Sequence, residues 1–171
     1  GLIFNLACTV VVFKMIPHII DEIDYLFQAK IFAEGKLWAR LPEEVSFFHF
    51  INLIEKDGRW FSQYPPGWPL ILSIGVLMKA PWLINPLLGG FLLVLIYRIA
   101  KELFDEEIAR LSGLLALFSP YLVIMNSTMM SHTSCAVFIL AFYLFIWQGV
   151  KRKSKGRIFW AMLFLGIAIG I

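Results

Sequence analysis

Apolar residues fall in long blocks along this chain, without the strict alternation that would signal exposed strands. Blocks fill about 1–17, 82–100, 111–126, 133–150 and 158–171, and short charged joints separate the later ones. Blocks approaching the roughly 20 residues needed to cross a bilayer read as membrane helices. The first, GLIFNLACTVVVF, has no starting Met, and the last, IFWAMLFLGIAIGI, stops before it could cross. Residues 1–171 are therefore expected to be the N-terminal part of one larger transmembrane domain.

Between the first two blocks lies a long polar and aromatic stretch, 18–81. Ile20, Ile23, Phe27 and Ile31 recur at near-helical spacing, with Asp21, Tyr25 and Gln28 on another side. That pattern predicts an amphipathic surface helix with the isoleucines on its apolar face. Gly35 is placed to end it, and Asp57-Gly58 inside EKDGRWFSQY predicts a tight hairpin turn. The apolar run from Pro69 to Met78 is too short to span and predicts a surface or re-entrant helix.

Composition agrees with the pattern. Sixty per cent of the residues are hydrophobic and 16% charged, with a mean hydropathy of +0.78. An all-α, polytopic transmembrane bundle is the fold class these figures imply. The net charge of +3 is small and local, so it speaks to topology and not to nucleic acid. KRKSKGR at 151–157 holds five cations and no acid, which places that joint in the cytoplasm. Counting back puts the 18–81 loop and NSTMMSHT (126–133) together on the external face. Cys8 and Cys135 lie in apolar runs with no ligand or disulfide spacing.

Three clusters carry candidate chemistry. In DEID, the Asp21 carboxylate either caps the surface helix or acts as a general base on an acceptor hydroxyl. Glu22 and Asp24 would then supply helix-end charge, or orient a group or bind a cation. YPPGWP stiffens the approach to the next helix through Tyr64, Pro65 and Pro66, which suits either a helix entry or a positioned loop. In NSTMMSHT, His132 is either an interfacial residue near a helix cap or a ligand to phosphate or metal. Asn126-Ser127-Thr128 also matches a glycosylation sequon close to the membrane. Lys36, Lys56, Arg59 and Lys79 are external cations on this topology, available to a lipid phosphate or to headgroups.

DEIDYLFQAKIFAEGKLW, YPPGWPLIL and INPLLGGFLLVLIYRIAKELFDEEIARLSGLLALFSPYLV, in that order, resemble membrane glycosyltransferases of family 39. That group includes the dolichyl-phosphate-mannose–protein mannosyltransferases and the aminoarabinose transferases acting on lipid A. The resemblance implies the GT-C fold, with its active site on the external face of what would be a prokaryotic plasma membrane. It implies a polyprenyl-phosphate-linked sugar as donor and a hydroxyl on protein, lipid or polysaccharide as acceptor. Asp21 would be the base and Glu22 its companion, with Asp24, Tyr25, Tyr64, Pro65, Pro66, His132 and Lys79 toward the substrates. MMSHT stands where many members carry an acid, and Lys79 is the nearest match to their cation at the second span. No cofactor is fixed by the sequence, and a divalent metal ion is left open. A transporter is the competing class, though charges within its spans would be expected and are essentially missing here. A non-catalytic assembly factor of the same fold is the third reading.

Overall fold

In a computed structural model, residues 1–41 and 52–171 are described. Helix α1 (Leu2–Ala7) runs into a π-helical turn at Cys8–Val12. The chain leaves the helix at Phe13, four residues before Pro17, and Lys14 and Met15 take positive φ values of 53° and 62°. Helix α2 (Ile20–Ala33) follows, and Gly35 with φ of 72° turns the chain away from it. A small antiparallel sheet holds β1 (Ala39–Arg40), β2 (Leu53–Lys56) and β3 (Arg59–Ser62) in the order β1-β3-β2. Lys56 pairs with Arg59 across a two-residue turn, in which Asp57 and Gly58 both have positive φ. That is the turn whose twist matches a hairpin.

Helix α3 (Gly67–Leu77) has 11 residues, and a 3₁₀ turn at Pro81–Leu83 leads into α4 (Ile84–Leu103). Then come α5 (Glu106–Leu117), α6 (Pro120–Ser127), α7 (His132–Lys151) and α8 (Lys155–Ile169). Among the described residues two segments, Pro81–Leu103 and His132–Lys151, are long and apolar enough to cross a membrane. The stretch expected to form one helix over 111–126 is two, bent by 61°. The cause is local: Ser119 accepts from Leu122 N–H as an N-cap and Pro120 occupies the first helical position, a pair that starts a new helix. With α5 and α6 taken as one broken span, up to three segments can cross.

Helices α4 and α7 run in the same direction and α5–α6 in the opposite one, so the bundle has two ends. One gathers residues 18–22, 64–68, 85 and 126–131 through direct hydrogen bonds. At the other, Lys151 pairs with Glu102 at 3.3 Å and Arg110 with Glu106 at 3.0 Å. The α4–α7 seam is aliphatic, built on Leu92, Leu95, Val137, Ala141 and Leu144. Gly89 admits the Asn5 and Asn126 side chains against α4, where a Cβ would stand 2.7 Å or less from both. Small residues at such crossings let membrane helices approach closely. Asn126 is itself 2% exposed and accepts from Thr133 Oγ1 at 3.0 Å, so the sequon at 126–128 is closed to modification in this fold.

Helix α2 differs from its sequence pattern in which side it buries. Glu22, Asp24, Tyr25, Gln28, Ala29 and Ile31 are buried, whereas Ile20 and Ile23 are exposed. Of the four apolar residues in the expected stripe, only Ile31 is buried. Glu22, Tyr25 and Gln28 on the polar side find partners on the neighbouring elements, which offsets their desolvation.

Candidate functional site

The polar end of the bundle is assembled around the first two turns of α2. No side chain caps that helix, whose N-cap residue is Ile19. Glu22 does the equivalent work from inside the first turn. One of its oxygens accepts from His18 N–H at 2.6 Å and the other from Met129 N–H at 2.7 Å. At 1% exposure, both its oxygens are committed to backbone donors. It clamps α2 to the turn between α6 and α7.

That turn is held from two further sides. Trp68, fully buried on α3, donates its indole N–H to Met129 O at 2.8 Å. Asn85, at the start of α4, donates to Thr128 O at 2.6 Å and Met130 O at 2.7 Å. Below these bonds Tyr25, Ala29, Trp68, Leu72 and Met130 form a second buried cluster. Residues 128–131 therefore carry their backbone groups in a cradle contributed by α2, α3 and α4.

Asp21 occupies a different environment one residue earlier. It is partly exposed, and its Oδ1 accepts from Tyr64 O–H at 2.8 Å and from Asn52 Nδ2 at 3.2 Å. Asn52 also reaches the Tyr64 oxygen at 3.2 Å, and Gln63 Nε2 donates to Asn52 Oδ1 at 2.8 Å. The second Asp21 oxygen accepts nothing from the described residues. Tyr64 sits just before the two prolines of YPPGWP, and Pro66 is the N-cap residue of α3. Its ring lies 4.8 Å from that of Tyr25, whose hydroxyl is 3.2 Å from Ser131 Oγ. One oxygen is thus fixed, and the other is free of the described residues.

Burial, then the hydrogen bond and charge of Asp21, push Tyr64 up to about 12, so it remains an O–H donor at neutral pH. Tyr25 is raised for the same reason, burial first, although its bond to Ser131 pulls the other way. Asp24 is fully buried, and neither carboxylate oxygen has a hydrogen-bond partner among the described residues. Burial pushes its pKa up, the nearby Asn52 amide opposes this in part, and the charge of Asp21 adds to the rise. The missing bonding distance argues that the Asn52 contribution is weak.

Tyr64, Pro65 and Pro66 line an open cleft of about 490 Å³ with Gln28, Phe32, Leu37, Ile54, Phe61, Ser62 and Gln63. Gln28 fixes one wall, accepting from Ser62 N–H at 3.0 Å and donating to Leu37 O at 3.1 Å. His132 and Lys79 do not join this group. His132 is exposed and lines a separate cavity of about 260 Å³ with Leu92, Tyr121 and Cys135. Lys79 stands exposed beyond the C-terminus of α3, and its side chain meets neither Asp21 nor Tyr64. Among the described residues no three His, Cys, Asp or Glu side chains converge as metal ligands.

The sequence pattern missed Asn52, Gln28, Trp68 and Asn85 as builders of this end. An apolar stretch that keeps a single amide, as Asn85 does in LINPLL, is the one signal that pointed to them. Buried amides are retained where they satisfy backbone.

Comparison with known families bears on α3 to α8. The family model described as dolichyl-phosphate-mannose-protein mannosyltransferase matches residues 65–171. The chain belongs to that family. No curated protein and no solved structure matches it. The mannosyltransferase-family stretch begins at Pro65, so it takes in α3 and α4, two of the three helices of the cradle, and leaves α2 with its acids to be argued from geometry. The family is one of membrane glycosyltransferases, and with its apolar helices this chain is an integral membrane protein.

Proposed function

We propose that this chain belongs to an enzyme that transfers a sugar from a polyprenyl-phosphate donor to an acceptor hydroxyl at the external face. The observation that carries the reading is the contrast between Asp21 and Glu22. Glu22 is buried with both oxygens on backbone N–H groups, whereas Asp21 is fixed through one oxygen by Tyr64, which lines an open cleft, and its other oxygen accepts nothing from the described residues. A general base needs that combination: orientation by neighbours, with a lone pair left over for the reacting proton.

In this reading Asp21 Oδ2 takes the proton of the acceptor hydroxyl as its oxygen attacks the anomeric carbon. The bond from that carbon to the phosphate oxygen breaks, and polyprenyl phosphate leaves with the electron pair. Tyr64 and Asn52 hold the carboxylate in place. Glu22 positions the helix without touching substrate, and Pro65 and Pro66 stiffen the cleft wall. Asp24 supports the site as a buried neighbour, and Tyr25 joins it to Ser131. His132 and Lys79 would meet donor or acceptor only at its margin. The external placement rests on the five cations of 151–157 at the opposite end of the bundle.

The test compares wild type with Asp21→Asn in native membranes carrying the full-length protein, following release of polyprenyl phosphate from a panel of labelled polyprenyl-phosphate sugars. One donor consumed by wild type and spared by the folded variant supports the reading. Equal consumption removes Asp21 from the chemistry. A protein that consumes none of the donors fits the non-catalytic assembly role.

A further inference from the structure

The opposite end of the bundle carries a groove that sugar transfer does not use. Ile99 and Leu103 of α4 face Leu140, Tyr143, Leu144, Trp147 and Val150 of α7 across a cavity of about 430 Å³. Its outer lip is aromatic: Tyr143 is 57% and Trp147 47% exposed. These two residues are four apart and so share one face of α7, which leads directly to Lys151. The one acid lining the groove, Glu102, is already neutralised, since Lys151 Nζ lies 3.3 Å from its carboxylate.

Beyond the groove mouth α7 leads into a run of cations with no acid among them. Arg152 follows the last residue of α7, Lys153 lies on the short connector and Lys155 opens α8. The side chains of all three are exposed and engage no described residue, in contrast to Arg157, which bonds Gln148 on α7. An apolar trough, an interfacial Tyr-Trp edge and unneutralised cations thus lie in sequence along one line. Each part matches one part of an anionic phospholipid: acyl chain, glycerol region and phosphate.

We infer that the α4–α7 groove and the cations Arg152, Lys153 and Lys155 between α7 and the start of α8 together bind an anionic phospholipid of the surrounding leaflet. The acyl chain lies against Leu103, Leu144 and Val150. The headgroup meets Arg152, Lys153 and Lys155, and the Lys151–Glu102 pair spares it the repulsion of a bare carboxylate. The site selects by charge, so a zwitterionic lipid fills the trough without the cations' contribution. This inference does not depend on the proposed transfer reaction.

Trp147 provides the readout. The full-length protein is reconstituted in vesicles of phosphatidylcholine containing either brominated phosphatidylglycerol or brominated phosphatidylcholine at equal mole fraction. The Trp147 signal is taken as the difference between wild type and Trp147→Phe. The expected result is quenching about twofold or more stronger by the anionic bromolipid, with the ratio falling to about one in the Arg152→Gln, Lys153→Gln, Lys155→Gln variant. Equal quenching by both lipids in wild type would overturn the inference, as would a preference that survives the triple substitution. Absence of quenching by either lipid would overturn it too, because a protein segment would then cover the groove.

Discussion

The two buried clusters of this molecule are built on different rules. Along the α4–α7 seam, Leu92, Leu95, Val137, Ala141 and Leu144 meet one another with no polar group between them. Around Tyr25, Trp68, Leu72 and Met130, apolar contact is laced with hydrogen bonds from Glu22, Trp68 and Asn85 to one turn of backbone. Inside a bilayer, apolar contact hardly distinguishes protein from lipid, whereas directional bonds fix one arrangement. The seam holds helices together. The laced cluster fixes where individual atoms sit, and the free oxygen of Asp21 lies beside it.

The sharpest way to break this contrast is Asp21→Asn. Loss of a general base should cut sugar transfer by about 10²- to 10⁴-fold, while thermal unfolding in detergent stays at the wild-type temperature. Glu22→Ala should do the reverse in kind. It strands the Met129 and His18 N–H groups and should cost about 2–3 kcal/mol of stability, read from the unfolding midpoint, with activity falling because less protein is folded. Leu92→Ala tests the aliphatic seam. It should lower stability through lost packing yet leave transfer per folded molecule unchanged, and a selective loss of turnover would contradict the division drawn here.

Smaller effects sharpen the picture. Tyr64→Phe removes one of the two donors to Asp21 and should reduce turnover by about tenfold or less, with little change in stability, because the ring contact with Tyr25 survives. The tyrosine also predicts an alkaline limit. Its folded pKa of about 12 exceeds the ordinary tyrosine value of 10.0, so the native state keeps a proton that the unfolded chain loses. Its contribution is complete below pH 10 and declines as pH rises toward 12, and Tyr64→Phe should flatten that decline. Asp24 acts at the other end of the scale. Its raised pKa means ionisation weakens the fold as pH climbs above 3.8. Asp24→Asn should therefore unfold at a higher temperature than wild type at pH 7, and the gap should shrink at pH 4.

Much of the architecture was legible because it depends on local rules. Asp57-Gly58 specified its hairpin turn, Gly35 the exit from α2, and the short run before Met78 a helix unable to cross. The Ser119-Pro120 break was written in the chain as well, but within an uninterrupted apolar block hydropathy outweighed the cap signal. The buried side of α2 was not legible. Periodicity finds the apolar stripe and presumes it is inward, whereas Tyr25 and Gln28 turn inward because Ser131, Leu37 and Ser62 wait for them. Those partners lie 9 to 106 residues away in sequence. Asp21 was visible as a candidate, but its separation in role from Glu22 required the position of Met129, 107 residues from Glu22.

The backbone bond from Gly67 N–H to Gly170 O, at 2.8 Å, joins the first residue of α3 to the last turn of α8. A Cβ at position 67 would collide with that carbonyl, so the two backbones meet without any side chain between them. During synthesis α3 emerges about a hundred residues ahead of its partner, and its N-terminus must wait beside the Pro-Pro turn until α8 has been inserted. The end of the molecule that holds Asp21 is thus completed only once α8 is in place. A chain stalled before α8 would have Asp21, its tyrosines and its cleft wall, but no latch holding them in register.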